Sequence, residues 1–114
     1  MKIYIAAPLH NRADACAYAA LLRMLGHTVT SSWHDHETST VRAEKTLSVS
    51  ERHAIAQTCM LEIERCDLLL WLCDDMRGRT GSAFEAGYAT ALKKTVATFA
   101  RRSLPCVFAG VEAP

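Results

Sequence analysis

The chain has 114 residues, 50% of them hydrophobic, and its 13 basic side chains nearly balance 12 acidic ones. A chain of this length supports one hydrophobic core, so we interpret residues 1–114 as a single domain. The near-zero net charge gives no electrostatic basis for wrapping a DNA or RNA backbone, so polymeric nucleic acid is excluded as the expected partner.

The apolar runs and the cysteines indicate the cellular location and the redox state of the thiols. The longest apolar runs, residues 68–73 and 96–100, are too short to span a bilayer, and residues 1–7 have a strand-like pattern without the features of a signal peptide. We therefore expect a cytoplasmic protein without a membrane partner. The odd cysteine count and the lack of a CxxC pair predict reduced thiols. These are Cys16, Cys59, Cys66, Cys73 and Cys106.

The first half of the chain alternates between strand and helix patterns. Residues 2–7 predict a strand that meets Pro8, and Asn11 is a plausible N-cap for a helix that stops at Gly26. Residues 28–32 predict a second strand ending at Trp33, followed by a long polar loop, 34–45, whose length favours a functional role. The predicted core stripe of the first helix is Ala13, Cys16, Ala17, Ala20, Leu21, Met24 and Leu25.

The second half continues the alternation. Ser48 and Glu51 match a capping box for a helix that runs to residue 66, with Ile55, Cys59, Ile63 and Cys66 along one side. Residues 68–73 are typical of a central parallel strand, and residues 95–100 predict a fourth strand, with a short fifth at 107–109. Between them, a helix beginning near Ser82 has one predicted apolar face, formed by Phe84, Tyr88, Ala91 and Leu92.

This alternation predicts an α/β fold with right-handed crossovers. The expected architecture is a three-layer, flavodoxin-like (Rossmann-like) domain with a parallel sheet of four to five strands. Ligands of such sheets bind outside the carboxyl ends of the strands, near the point where the strand order reverses. The segments to inspect are therefore residues 6–10, 32–35 and 74–80, and the helix start at Ser82.

The string GSAFEAGYA, residues 81–89, is the most informative for chemistry. Gly81 would permit a tight turn, Ser82 would cap the helix, and Glu85 in its first turn would be an ionised nucleophile or base. Gly87 costs about 1 kcal/mol inside a helix, which suggests close packing on a strand. Ser82 and Glu85 also match an ordinary capping box with no catalytic role, and local sequence leaves both interpretations open.

The strings KIYIAAPL, GHTVTSSW, ERCDLLLWL and GSAFEAGYATALKK occur in this order. Together they resemble the nucleoside 2-deoxyribosyltransferase-like superfamily, particularly its small phage and bacterial members, over nearly the whole chain to about residue 100. The resemblance implies a covalent mechanism at the N-glycosidic bond, with Glu85 as nucleophile and Tyr4 orienting it. It also implies a small nucleoside or nucleotide as partner, hydrolysis or transfer as outcome, and a homodimer or higher homo-oligomer.

The chain departs from the family pattern at two places. Cys59 occupies the position of an aspartate that contacts the sugar or leaving base, and a thiol is a weak hydrogen-bond partner and a poor general acid. Pro8 and His10 occupy the loop where relatives use Ser and Arg for a 5′-phosphate. A non-catalytic nucleotide-binding or sensing module is therefore the alternative, and a flavodoxin-like electron carrier has no specific support.

Several further residues are candidates for the substrate pocket. Asp74 and Asp75 would contact sugar hydroxyls or protonate the leaving base, or else form a solvated acidic turn. Arg79 would meet phosphate or lie in an exposed basic loop, and Trp33 would line the pocket or pack in the core. The complete predicted substrate-binding set is Ala7, Pro8, Trp33, Asp74, Asp75, Arg79, Gly81 and Ser82.

Four residues have the appearance of a metal site, because two imidazoles at alternating positions could face one way on an extended chain. They are His34, Asp35, His36 and Glu37. No third ligand is evident at a supporting spacing, and a polar surface loop explains the same residues. We therefore predict neither a metal nor an organic cofactor.

Overall fold

The computed structural model describes residues 1–35, 47–73 and 80–99. Within these ranges, four parallel strands form one sheet in the order β2-β1-β3-β4. The strands are β1 (Lys2–Ala6), β2 (Thr28–Val29), β3 (Leu68–Leu72) and β4 (Thr95–Phe99). The helices are α1 (Arg12–Met24), α2 (Val49–Arg65) and α3 (Thr80–Ala91). The predicted parallel α/β fold is confirmed, while the fifth strand predicted at 107–109 lies outside the described residues.

The strand order sets where a ligand site can form. The chain moves from β1 outward to β2 and then returns past β1 to β3, so right-handed crossovers place α1 on one face and α2 with α3 on the other. Consistent with this, α2 and α3 contact each other. The strand order reverses between β1 and β3, where Tyr4 is in register with Leu69. This reversal point is the expected place for a ligand.

Strand β2 is shorter than predicted because side chains replace its ladder. Beyond Val29, the Ile5 N–H donates to Ser31 Oγ at 3.0 Å, and Trp33 Nε1 donates to the Ile5 carbonyl at 2.7 Å. Since both backbone groups of Ile5 are satisfied this way, the chain is free to leave the sheet. It turns into a short 3₁₀ segment, Trp33–Asp35, in which His34 is fully buried.

Helix α2 matches its prediction closely. Ser48 is the N-cap, its hydroxyl accepts from the Glu51 N–H at 3.0 Å, and the Glu51 carboxylate accepts from the Ser48 N–H at 2.9 Å. The predicted side faces inward, with Ile63 and Cys66 buried. A reciprocal cap and a single apolar stripe are both local signals, which is why the sequence indicated this helix correctly.

The predicted inner faces of α1 and α3 are wrong. Helix α1 buries Ala15 and Ala19, whereas six of the seven residues of the predicted stripe are exposed and only Cys16 is partly buried. Helix α3 buries Ala86 and Ala89, whereas Phe84 is exposed and stacks on Tyr88. The fully buried positions of both helices carry small residues, and Tyr18, Leu22 and Tyr88 pack against the core only in part, so the largest apolar residues did not mark the core side.

The start of α3 also differs from the prediction. The helix begins at Thr80, so Ser82 lies inside it, where its buried hydroxyl accepts from Trp71 Nε1 at 3.0 Å. Ser82 is therefore not the cap, and Glu85 belongs to the second turn. Gly81 has no positive φ, and a Cβ on Gly87 would meet no atom within 4 Å, so neither the tight turn nor the close packing expected of these glycines is present. No described helix is long and apolar enough to cross a membrane.

Candidate functional site

The structure brings Tyr4 and Glu85 into direct contact although they are 81 positions apart. Tyr4 projects from the middle of β1 and is fully buried, and its phenol donates a hydrogen bond to Oε2 of Glu85 on α3. The Glu85 carboxylate is only partly exposed. Glu85 therefore does not fold back onto its own helix start, as a capping residue would.

The surroundings keep this carboxylate unusually easy to protonate. The pKa of Glu85 is raised to about 7, chiefly by burial and in smaller part by the nearby charge of Glu62, while hydrogen bonds from Tyr4 and Cys59 act in the opposite direction. Burial and the Glu85 charge also raise the pKa of Tyr4, so the phenol stays a neutral donor. A carboxyl group poised near neutral pH is typical of sites where charge develops or moves.

Cys59 completes this cluster from α2. Its half-buried thiol interacts with both Tyr4 and Glu85, and burial, reinforced by the Glu85 charge, raises the pKa of the thiol to about 12. Cys59 is therefore protonated at physiological pH and donates weakly to the carboxylate. Cys59, where the sequence resemblance leads us to expect an aspartate, thus contributes a neutral donor to this cluster.

Glu62 is a site residue that sequence analysis missed. Its carboxylate accepts from the Ser32 N–H at 3.1 Å and from Ser32 Oγ at 2.5 Å, and its charge acts on both Glu85 and Cys59. Glu62 follows Cys59 by three positions on α2, which places both on one helix face. An acidic residue inside an otherwise apolar stripe was the available signal.

The remaining predicted pocket residues fall into three groups. Ala7 and Pro8 are buried directly after β1, at the carboxyl end of the sheet. Trp33 and Ser82 are buried, and each hydrogen-bonds to another part of the fold, whereas Gly81 is exposed. Three residues from the loop before α3 lie outside the described residues: Asp74, Asp75 and Arg79.

A carboxylate fixed by a neutral donor at the reversal point of a parallel sheet can stabilise a developing cation or attack an electrophilic carbon. The fold and this site define a flavodoxin-like α/β protein with a phenol-bound carboxylate between β1 and α3. The family model for nucleoside 2-deoxyribosyltransferase matches residues 3–112, and the chain belongs to this family. It is therefore a member of a family of enzymes that act on N-glycosidic bonds.

Solved structures agree with this assignment. The 2-deoxyribosyltransferase of the psychrotolerant bacterium Bacillus psychrosaccharolyticus has a TM-score of 0.76 at 25% identity, covering 95% of this chain and 78% of its own. A 2-deoxyribosyltransferase from Leishmania mexicana scores 0.56 at 26% identity, covering 94% and 69%. The Clostridium botulinum CMP N-glycosidase shares the fold, with a TM-score of 0.63 at 14% identity and coverage of 95% and 76%. No curated protein matches the chain.

Proposed function

We propose that this chain cleaves or transfers the N-glycosidic bond of a nucleoside or nucleotide with Glu85 as its nucleophile. The contact between the Tyr4 phenol and the Glu85 carboxylate is the observation that supports the proposal most. Tyr4 donates to Oε2, and we assign attack on the anomeric carbon to the other carboxylate oxygen, Oε1. Membership of the family supports the class of bond.

In the first step, Oε1 of Glu85 forms a bond to the anomeric carbon while the bond from that carbon to the base nitrogen breaks. The electron pair stays with the base, which takes up a proton. The sugar passes through an oxocarbenium-like state, whose positive charge the carboxylate stabilises before it forms the ester. In the second step, water or another base attacks the same carbon, the bond from that carbon to Oε1 breaks, and the proton of the attacking group returns to the carboxylate that protonated the first base.

Tyr4 contributes by orienting the nucleophile and lowering its proton affinity. Without this hydrogen bond, burial alone would leave more of Glu85 protonated and inert near neutral pH. Protonation of the leaving base is assigned to Asp74 or Asp75, as proposed from the sequence. The thiol of Cys59 is unsuited to that step because its proton is held too tightly.

A sensing module that binds a nucleotide without cleaving it is the second candidate. The feature that favours it is Cys59 beside Glu85, a neutral thiol at the position where the sequence resemblance leads us to expect an aspartate. The two functions differ in a simple way, because a sensor is stabilised by its ligand and returns it intact.

The decisive experiment incubates the protein with a panel of nucleosides and nucleoside monophosphates and measures free base by chromatography. We expect release by the native chain, loss of release in Glu85→Gln, and retained release in the matched control Glu64→Gln. Glu64 lies on the same helix as Cys59, but its carboxylate accepts from the exposed Tyr88 hydroxyl and its backbone carbonyl accepts from Lys94. Thermal stabilisation without release would instead establish the sensor.

Oligomeric state stays a prediction. We expect a homodimer or larger assembly, to be measured by light scattering coupled to size-exclusion chromatography at the concentration used for the activity assay. A monomer with full activity would contradict it.

A further inference from the structure

A second polar cluster lies on the α1 side of the sheet, away from Glu85. It joins a thiol from α1 to an imidazole and a carboxylate from the turn after β2. One ligand atom from each of Cys16, His34 and Asp35 lies within 4.8 Å of the other two. His34 is completely buried, so it does not belong to the polar surface loop predicted from the sequence. The other two candidate metal ligands from the sequence, His36 and Glu37, lie outside the described residues.

The imidazole has one nitrogen without a hydrogen bond. Nε2 lies 2.9 Å from Ser31 Oγ, which also accepts from the Ile5 N–H at 3.0 Å. Nδ1 is buried and has no hydrogen-bond partner, although Oδ1 of Asp35 is 3.3 Å away. Ser31 Oγ can donate to Nε2 or accept from it, depending on the tautomer of the imidazole. In the tautomer with the proton on Nε2, the lone pair of Nδ1 faces the Asp35 carboxylate, an arrangement that a cation between the two atoms would stabilise.

The spacing of these atoms matches ligands on one metal ion. Bonds of about 2.0–2.1 Å from zinc to nitrogen and oxygen, at a tetrahedral angle, place the two ligand atoms about 3.3 Å apart. The separation of Nδ1 and Oδ1 is 3.3 Å. The Cys16 thiol now donates to the His34 carbonyl at 3.1 Å, so it already lies at the turn and needs only a rotation to offer its sulfur.

We propose that Cys16, His34 and Asp35 bind one divalent metal ion of the zinc class, with water in the fourth position, and that the ion ties α1 to the turn after β2. Thiolate, imidazole and carboxylate are the three donor types that zinc takes from proteins. On binding, the Cys16 sulfur loses its proton to solvent and forms the metal bond.

Two cationic side chains oppose the ion and therefore give the proposal a quantitative test. Arg12 and Arg23 both lie close enough to act on the His34 charge, and Arg23 Nη2 is 3.5 Å from Oδ2 of Asp35. Arg23 is half exposed, so its repulsion is screened by solvent. Removing it as Arg23→Gln should tighten metal binding about threefold.

Cobalt(II) is the probe, because a thiolate bound to cobalt absorbs strongly in the near ultraviolet. Full-length protein, freed of metal by a chelator, is titrated with cobalt and then with zinc. We expect a charge-transfer band that saturates at one equivalent, disappears when zinc is added, and accompanies a rise in melting temperature. No band at equimolar metal would overturn the proposal.

Three variants test the ligands. Cys16→Ser should abolish the charge-transfer band, whereas Cys59→Ser, which removes another half-buried free thiol, should leave the band intact. Asp35→Asn, at an exposed carboxylate, should weaken binding at least tenfold without unfolding the chain, which circular dichroism would verify. A band that survives in Cys16→Ser, or binding equal to native in Asp35→Asn, would show that the metal lies elsewhere.

Discussion

Two polar clusters flank β1, and each contains a desolvated ionisable group. The two groups differ in how their hydrogen-bonding atoms are satisfied. In the first cluster, Tyr4 and Cys59 donate hydrogen bonds to the desolvated Glu85 carboxylate. At the second, burial lowers the pKa of His34 and leaves one nitrogen of a neutral base without a hydrogen bond. Neither group gains stability from its location alone, since burying an ionisable side chain costs free energy.

The two clusters show how a buried functional group differs from a buried structural one. A buried group that the fold satisfies fully has a structural role, whereas a group left with a raised proton affinity or an unused lone pair can interact with something else. The proposed reactant is a sugar carbon for Glu85, and the proposed ligand is a metal ion for His34. Because the clusters lie on opposite sides of the sheet, variants at one should leave the other unchanged.

The largest expected effect separates the clusters completely. Glu85→Gln should reduce base release about 10³-fold or more while leaving cobalt binding at Cys16 unchanged. The same variant should be more stable than the native chain at pH 8. The folded pKa of Glu85, about 7, lies above its unfolded value, so its stabilising contribution is complete below pH 4.5 and is lost as the pH rises through 7.

Replacing the charged group by an amide avoids this loss, and we expect a gain on the order of 2 kcal/mol, after allowing for partial solvent exposure. Urea denaturation at pH 5 and pH 8 measures it. A variant equally stable to native at pH 8 would indicate that Glu85 is not desolvated.

Tyr4→Phe removes one donor to the nucleophile and should lower kcat about 10²-fold. Because the lost hydrogen bond had lowered the pKa of Glu85, the acidic limb of the profile of kcat/KM against pH should move upward from about 7. The comparison variant Tyr88→Phe removes the exposed phenol that bonds to Glu64 and should change neither quantity. An unshifted limb in Tyr4→Phe would contradict the orienting role.

A smaller effect is expected from Glu62→Gln. Its negative charge raises the pKa of Glu85, so removing it should move the acidic limb to lower pH and increase activity at pH 6 a few-fold. Gln can still accept from Ser32, which keeps the helix in place. A pH profile identical to that of the native chain would mean that solvent screens Glu62 from the nucleophile.

The smallest effect is expected away from both clusters. Gly87→Ala should stabilise the chain by about 1 kcal/mol, since the position is helical and exposed and an added Cβ meets no neighbouring atom. Activity and cobalt binding should remain native. A loss of stability in Gly87→Ala would instead support the close packing that the sequence predicts for this glycine.

Helices α2 and α3 show which structural features local sequence patterns can predict and which they cannot. The capping box at Ser48 and the stripe through Ile63 are local signals, and both were predicted correctly. For α3, the Ser82–Glu85 pair had the same appearance, yet both side chains bond to strand residues, Trp71 and Tyr4, that are distant in the chain. The same pattern thus caps one helix and positions a carboxylate in another, and only packing distinguishes the two.

The sequence by itself determined the order of elements, the central apolar strand and, through its resemblance to a family, the candidates Tyr4 and Glu85. Tertiary structure decided which helix faces are buried, the position of Glu62 near Glu85, and the approach of Cys16 to His34. The physical reason is that hydrophobic period and capping act within a few residues, whereas desolvation and proton affinity depend on groups that only the folded chain brings together.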